Sequence, residues 1–152
     1  MAKTQRSRSS AAKTRSTRTR TATKRAPAKL PKAIVCAVRA ARDKKAEDVI
    51  VLDLRNAAGF TDYFVICTGG NARQVTAIAD SVRETLKNEL EERPALTEGV
   101  DRSEWILLDY FNFVVHVFSR ECRAFYGLER LWGNAERHEF PDETRRKDEG
   151  RA

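Results

Sequence analysis

Hydrophobic positions along this chain change period several times, and each change marks an element. Ile34, Val35, Val38 and Ala41 recur at helical spacing behind Pro31, which predicts a short amphipathic helix ending near "RDKK". "DVIVLDLRN" and "TDYFVICTG" then read as two strands rich in branched residues, joined through Ala57, Ala58 and Gly59. Asn71 stands where a helix cap belongs, and Gln74 occupies the capping-box position three residues later. Behind them Val75, Ile78, Ala79, Val82, Leu86 and Leu90 share one face, giving a long helix that must stop before Pro94. "EWILLD" and "NFVVHVF" predict an antiparallel hairpin with its tip at Tyr110 to Asn112, where Asn112 is the residue expected at positive φ. Ser119 is a candidate cap for a last helix in which Cys122, Phe125, Leu128, Glu129 and Trp132 share a face, with Gly133 as its stop.

This order of elements implies an α/β (α+β) fold: a mixed sheet of four to five strands flanked by helices, with hairpin pairing and at least one helical crossover. The domain is expected over residues 30–136, followed by a frayed, charged end at 137–152.

Charge changes the picture at the other end. Residues 1–30 hold ten Lys or Arg and no acid, which leaves 19 basic against 22 acidic residues in the remainder, a balance of −3 within a chain of net +7. The nucleic-acid argument that a basic chain invites is thereby confined to the tail. Residues 1–29 have no aromatic side chain and only Met1 as a large apolar one, so disorder is expected there. Three readings of the tail stay open: a nucleic-acid-binding arm, a solubilising extension, and an organellar transit peptide. No apolar run reaches the ~18 residues that span a bilayer, so no membrane partner is expected. Cys36, Cys67 and Cys122 are widely spaced and odd in number, which favours reduced thiols.

Candidate chemistry is sparse. "TGGNARQ" at 68–74 is neither a P-loop nor a dinucleotide fingerprint, although its position is similar to that of the glycine-serine turn of nucleotidyltransferases. Those enzymes need clustered carboxylates for two metal ions, and here a lone Asp80 follows. His116 alternates with Val115 and Val117 in a strand and reads as a structural histidine; His138 is isolated. No cofactor and no metal are expected. The feature left over is apolar surface. Trp105, Leu107 and Asp109 share one side of their strand and Ile106, Leu108 and Tyr110 the other, while Tyr110 and Phe111 sit side by side at a tip where a monomer would place polar residues.

Three motifs, "DYFVICTGGNARQVTAIAD" at 62–80, "WILLDYFNFVVHVF" at 105–118 and "RAFYGLERLW" at 123–132, together make residues 31–136 resemble the ribosomal silencing factor (Iojap) family. The resemblance implies a nucleotidyltransferase-like fold without catalytic carboxylates, and a binding module rather than an enzyme. It also implies attachment to the large ribosomal subunit at ribosomal protein L-fourteen, blocking its association with the small subunit under nutrient limitation. A large-subunit assembly role in an organelle is the alternative it offers, and a metal-dependent nucleotidyltransferase the reading it disfavours. On that basis Trp105, Leu107, Asp109, Tyr110, Tyr126, Glu129 and Trp132 are the expected partner-binding residues, with ribosomal RNA contact by the tail, a homodimer in the free state and a bacterial cytoplasmic setting as further expectations. The chain departs from the family pattern at Phe111–Asn112, where Gly-Asp is usual, at Asn71, where serine is common, and at Gly127.

Overall fold

The computed structural model describes residues 30–57 and 59–141. Helix α1 (Lys32–Asp43) leads into β1 (Glu47–Asp53) and β2 (Tyr63–Gly69), followed by the long α2 (Ala72–Leu90). Next come β3 (Leu96–Glu98), β4 (Trp105–Asp109) and β5 (Phe113–Ser119), then α3 (Arg120–Tyr126), α4 (Leu128–Leu131) and β6 (Glu136–Phe140). The strands form one mixed sheet in the order β3-β4-β5-β2-β1-β6. Its only parallel pair among the described residues is β2 with β5, and the chain between them contains α2, the expected crossover.

The sheet has six strands rather than four to five, and both additions lie at its edges. β3 is only three residues long. β6 occupies 136–140, all but its first residue lying in the stretch expected to fray, and pairs antiparallel with β1 from Val49↔Phe140 to Asp53↔Glu136. Its sequence, "ERHEF", carries little apolar signal because an edge strand gains its order from main-chain pairing and keeps its exposed positions charged. The expected tail at 1–29 and the end from 142 onward fall outside the described residues.

One sheet face receives α1 and α2, which also pack on each other. Ile34, Val38, Val75, Ile78, Val82 and Leu86 are buried there, as are Val65, Val115, Ile106 and Leu108 by the alternation of the strands. Asn71 caps α2 through Oδ1, which accepts from Gln74 N at 2.9 Å, and Gln74 Oε1 accepts in turn from Gly70 N at 2.6 Å. Gln74 Nε2 also donates to the carbonyls of Lys44 and Lys45, tying the helix start to the end of α1. Asn71→Ala is therefore expected to cost about 1 kcal/mol in urea unfolding. Gly69 is needed for the approach itself: a Cβ there would lie 2.8 Å from Val75 Cγ2. No helix among the described residues is long and apolar enough to cross a membrane.

Candidate functional site

Among the described residues no long helix covers the opposite sheet face. Ile50, Leu52, Phe64, Ile66, Val114 and Phe118 form its buried floor, and Trp105, Leu107, Cys122, Leu128 and Trp132 pack against that floor while remaining half-buried. Alternation places them: along β4 the odd positions Trp105, Leu107 and Asp109 are half-exposed, and Ile106 and Leu108 are buried under the helices.

His116 organises the centre of this face. Its register partner on β4 is Leu107, and its Nδ1 accepts the Trp105 indole N–H at 3.0 Å. Because Nδ1 is an acceptor, the proton of the neutral ring sits on Nε2, which is buried without a hydrogen-bond partner among the described residues. Desolvation lowers the His116 pKa to about 3, so the imidazole is neutral at physiological pH and holds an indole instead of exchanging protons with solvent. The structural reading of this histidine fits its position.

Around it the rings form a continuous run. Trp105 lies 4.6 Å from Tyr126 and 4.9 Å from Phe118, and His116 lies 4.4 Å from Phe64. Phe64 contacts Trp132 at 6.3 Å and Phe60 at 6.1 Å, and Phe125 joins the other end through Tyr126 at 4.9 Å. The ends of the run are open: Phe60 is 63% exposed, Phe125 77% and Tyr126 48%; Leu131, in α4, is exposed as well at 68%. Phe60 and Leu131 escaped sequence reasoning because neither belongs to a periodic pattern; a phenylalanine next to Gly59 in a loop was the available signal.

The upper rim is built by a broken helix. Ser119 caps α3, its Oγ accepting from Cys122 N at 3.1 Å, as expected. A single helix through Trp132, however, is not formed: Gly127 takes φ 50 and divides the segment into α3 and α4. Glycine meets this left-handed conformation without steric cost, which is why the apolar period across it misleads. The break is pinned by Arg123, whose Nε and Nη2 donate to Glu129 Oε2 at 3.0 and 2.7 Å. Its Nη1 donates to the Asp48 carbonyl at 2.7 Å and to Thr68 Oγ1 at 2.9 Å. Glu129 thus spends one oxygen inside the protein.

Tyr110 requires a correction. It is 5% exposed, stacked on Phe113 at 4.7 Å, and its hydroxyl, pushed up to about 12 by burial, has no hydrogen-bond partner among the described residues. It lies on the helical side, as its even position dictates, and the exposed aromatic at the tip is Phe111. The residue at positive φ is also Phe111, at 73°, and not Asn112.

The glycine turn at 69–70 closes on its own helix cap, and Asp80 is exposed beside Arg83. Among the described residues no three His, Cys, Asp or Glu side chains gather to hold a metal ion. Cys67 is fully buried, which pushes its thiol up to about 12; Cys36 is raised as well, first by burial and then by Glu89.

Comparison with known proteins agrees with this architecture. A family model described as "Ribosomal silencing factor during starvation" matches residues 27–152. The ribosomal silencing factor of Halalkalibacterium halodurans is 41% identical over 99 residues, which is 65% of this chain and 84% of that protein. A Mus musculus protein named "Mitochondrial assembly of ribosomal large subunit protein 1" is 31% identical over 93 residues, 60% of this chain and 41% of that one. A crystal structure of a Chromobacterium violaceum protein superposes with a TM-score of 0.65 at 34% identity, covering 69% of this chain and 87% of the other.

Proposed function

The chain belongs to the ribosomal silencing factor family, and from that premise we propose that it represses translation by binding the large ribosomal subunit at ribosomal protein L-fourteen, so obstructing the small subunit. The observation that carries this reading is the aromatic sheet face: a rigid strand surface, apolar and half-exposed, centred on Trp105 and Leu107. Aromatic side chains held on strands lose little rotamer freedom on binding, and such residues dominate interface energies.

Trp105, Leu107, Tyr126 and Trp132 supply the apolar contact. Asp109 and the outer part of Glu129 give the rim a negative character suited to a basic ribosomal protein. Tyr110 acts from beneath, filling the hairpin's helical side. The protein is a binding module and not an enzyme in this reading, working in a bacterial cytoplasm, with the basic tail touching ribosomal RNA. In the free protein a second copy covers the same face, giving a homodimer.

Gradient sedimentation tests the proposal. The wild type should travel with large subunits and reduce subunit joining. Leu107→Glu, which places a carboxylate on the apolar face, should weaken attachment at least 30-fold, about 2 kcal/mol. A wild-type protein that stays at the top of the gradient, or that leaves subunit joining unchanged when bound, would overturn it. The name of the mouse relative favours a second reading, assistance in assembling the large subunit; accumulation of incomplete large subunits on depletion, with joining unaffected, would select it.

A further inference from the structure

The hairpin tip between β4 and β5 combines two features that folding alone does not favour. Phe111 is 73% exposed, and its backbone stands at φ 73, a region that side chains bearing a Cβ rarely enter. A glycine or asparagine would meet the conformation more easily, and a polar side chain would meet the solvent more easily. Aromatic exposure and backbone strain coincide at one residue.

The conformation is nevertheless closely held. Asp109 Oδ1 accepts the Phe111 N–H at 2.8 Å, and the Tyr110 carbonyl accepts the Asn112 N–H at 2.8 Å, closing a turn of three residues around Phe111. From the β1–β2 loop, Thr61 Oγ1 donates to the Phe111 carbonyl at 3.1 Å, and Asp62 N donates to the Asn112 carbonyl at 3.0 Å. Four hydrogen bonds, from two separate segments, therefore fix the ring's point of attachment. A side chain that is strained, exposed and rigidly mounted is prepared for contact before the partner arrives.

We propose that Phe111 is a further anchor of the binding face, entering an apolar cleft with a basic rim on the partner protein. Its surroundings choose between a protein and a nucleic acid. Asp109 binds the turn through its carboxylate, Asp62 adjoins it through a main-chain N–H and has an exposed side chain, and Arg55, on the same loop as Asp62, is held by Asp53 at 2.7 Å. A carboxylate at the root of an exposed ring, with a second acidic residue next to the turn, repels a phosphate backbone and attracts lysine or arginine at the margin of a protein cleft. The inference rests on the proposed attachment to the large subunit and adds a contact beyond the sheet face, at the end of the hairpin.

The test measures affinity and thermal stability together, on the full chain, against intact large subunits and against isolated ribosomal protein L-fourteen. Phe111→Asn, which tolerates the left-handed backbone, should leave Tm unchanged or raise it by a few degrees, while affinity for both targets falls at least tenfold. Phe111→Trp, which restores an aromatic ring, should stay within about threefold of the wild type. Unchanged affinity in Phe111→Asn, alongside lost binding in Leu107→Glu, overturns the inference and leaves the proposed function standing. A tenfold loss seen with intact subunits and absent with the isolated protein overturns the choice of a protein cleft, since the ring would then be stacking on ribosomal RNA. If the wild type binds neither target, both the inference and the function it rests on fail.

Discussion

Arg123→Ala is expected to lower the free energy of unfolding by about 3 kcal/mol, the low end of the range for breaking a largely buried ion pair. The guanidinium side chain is 12% exposed and the Glu129 side chain 22%, so neither charge is fully solvated and the Coulomb attraction is only partly screened. Truncation would strip the arginine from the Glu129 carboxylate and from the Thr68 hydroxyl, in a residue that is 3% exposed, and would remove its bond to the Asp48 carbonyl. Asp48 itself stands at φ 43 in the irregular stretch of β1 between Glu47 and Ile50, so the arginine also steadies a bulge. Arg123→Ala/Glu129→Ala should recover part of the loss because no carboxylate is stranded, and a double-mutant cycle in urea measures the coupling. Arg123→Lys, which keeps the charge but not the fork, should fall between wild type and alanine. A loss under 0.5 kcal/mol for Arg123→Ala would show that the α3–α4 break holds without its pin. Since Tyr126 and Trp132 ride on these two helices, binding should weaken in step with the lost stability.

What could be read before the fold was known follows from the range of the forces involved. α2 was legible because its cap, its period and its stop all lie in one continuous stretch, each with its own local signal. The β4–β5 hairpin was legible for the same reason, and alternation alone separated Trp105 and Leu107 from Ile106 and Leu108. β6 was not, since its ordering comes from β1, more than 80 residues earlier in the chain, and five residues of mixed charge carry no record of that partner. Gly127 illustrates a conflict between signals: apolar residues continue at helical spacing on either side, yet the glycine takes a left-handed conformation that ends α3, and Arg123 and Glu129 pair across the break. The burial of Tyr110 continues the even side of β4 and was open to alternation, whereas the positive φ at Phe111 in place of Asn112 depends on how the turn closes. The bond from Trp105 to His116 needed the hairpin register, which composition does not supply.

Acidification should destabilise the protein through His116, and the sign follows from its burial. Its pKa is about 3 in the folded chain against about 6.5 when the chain is open, so the unfolded state takes up the proton first. The contribution of the neutral ring is complete above about pH 6.5 and is lost progressively as pH falls toward 3. Between pH 7 and pH 5 the loss should be about 2 kcal/mol, and by pH 3 on the order of 4–5 kcal/mol. Two carboxylates are also held below their ordinary range by arginines, Asp53 by Arg55 and Glu89 by Arg39, but their effects begin only below about pH 4.5. Urea unfolding between pH 7 and pH 5 therefore separates the histidine from the acids. His116→Gln, whose amide oxygen can still accept from the Trp105 indole but takes up no proton, should remove most of the slope in that interval. A second readout reports on the binding face: an imidazolium has no acceptor left for the indole N–H, so Trp105 must lose its partner when the ring charges. In a Trp132→Phe background the folded protein's remaining tryptophan fluorescence should therefore hold steady from pH 7 to pH 5 while stability falls, and shift only as pH approaches 3; in His116→Gln that low-pH shift should be absent. A wild-type slope between pH 7 and pH 5 equal to that of His116→Gln would mean that the histidine finds a protonated arrangement inside the fold, and that Trp105 is held by packing against Tyr126 and Phe118 alone.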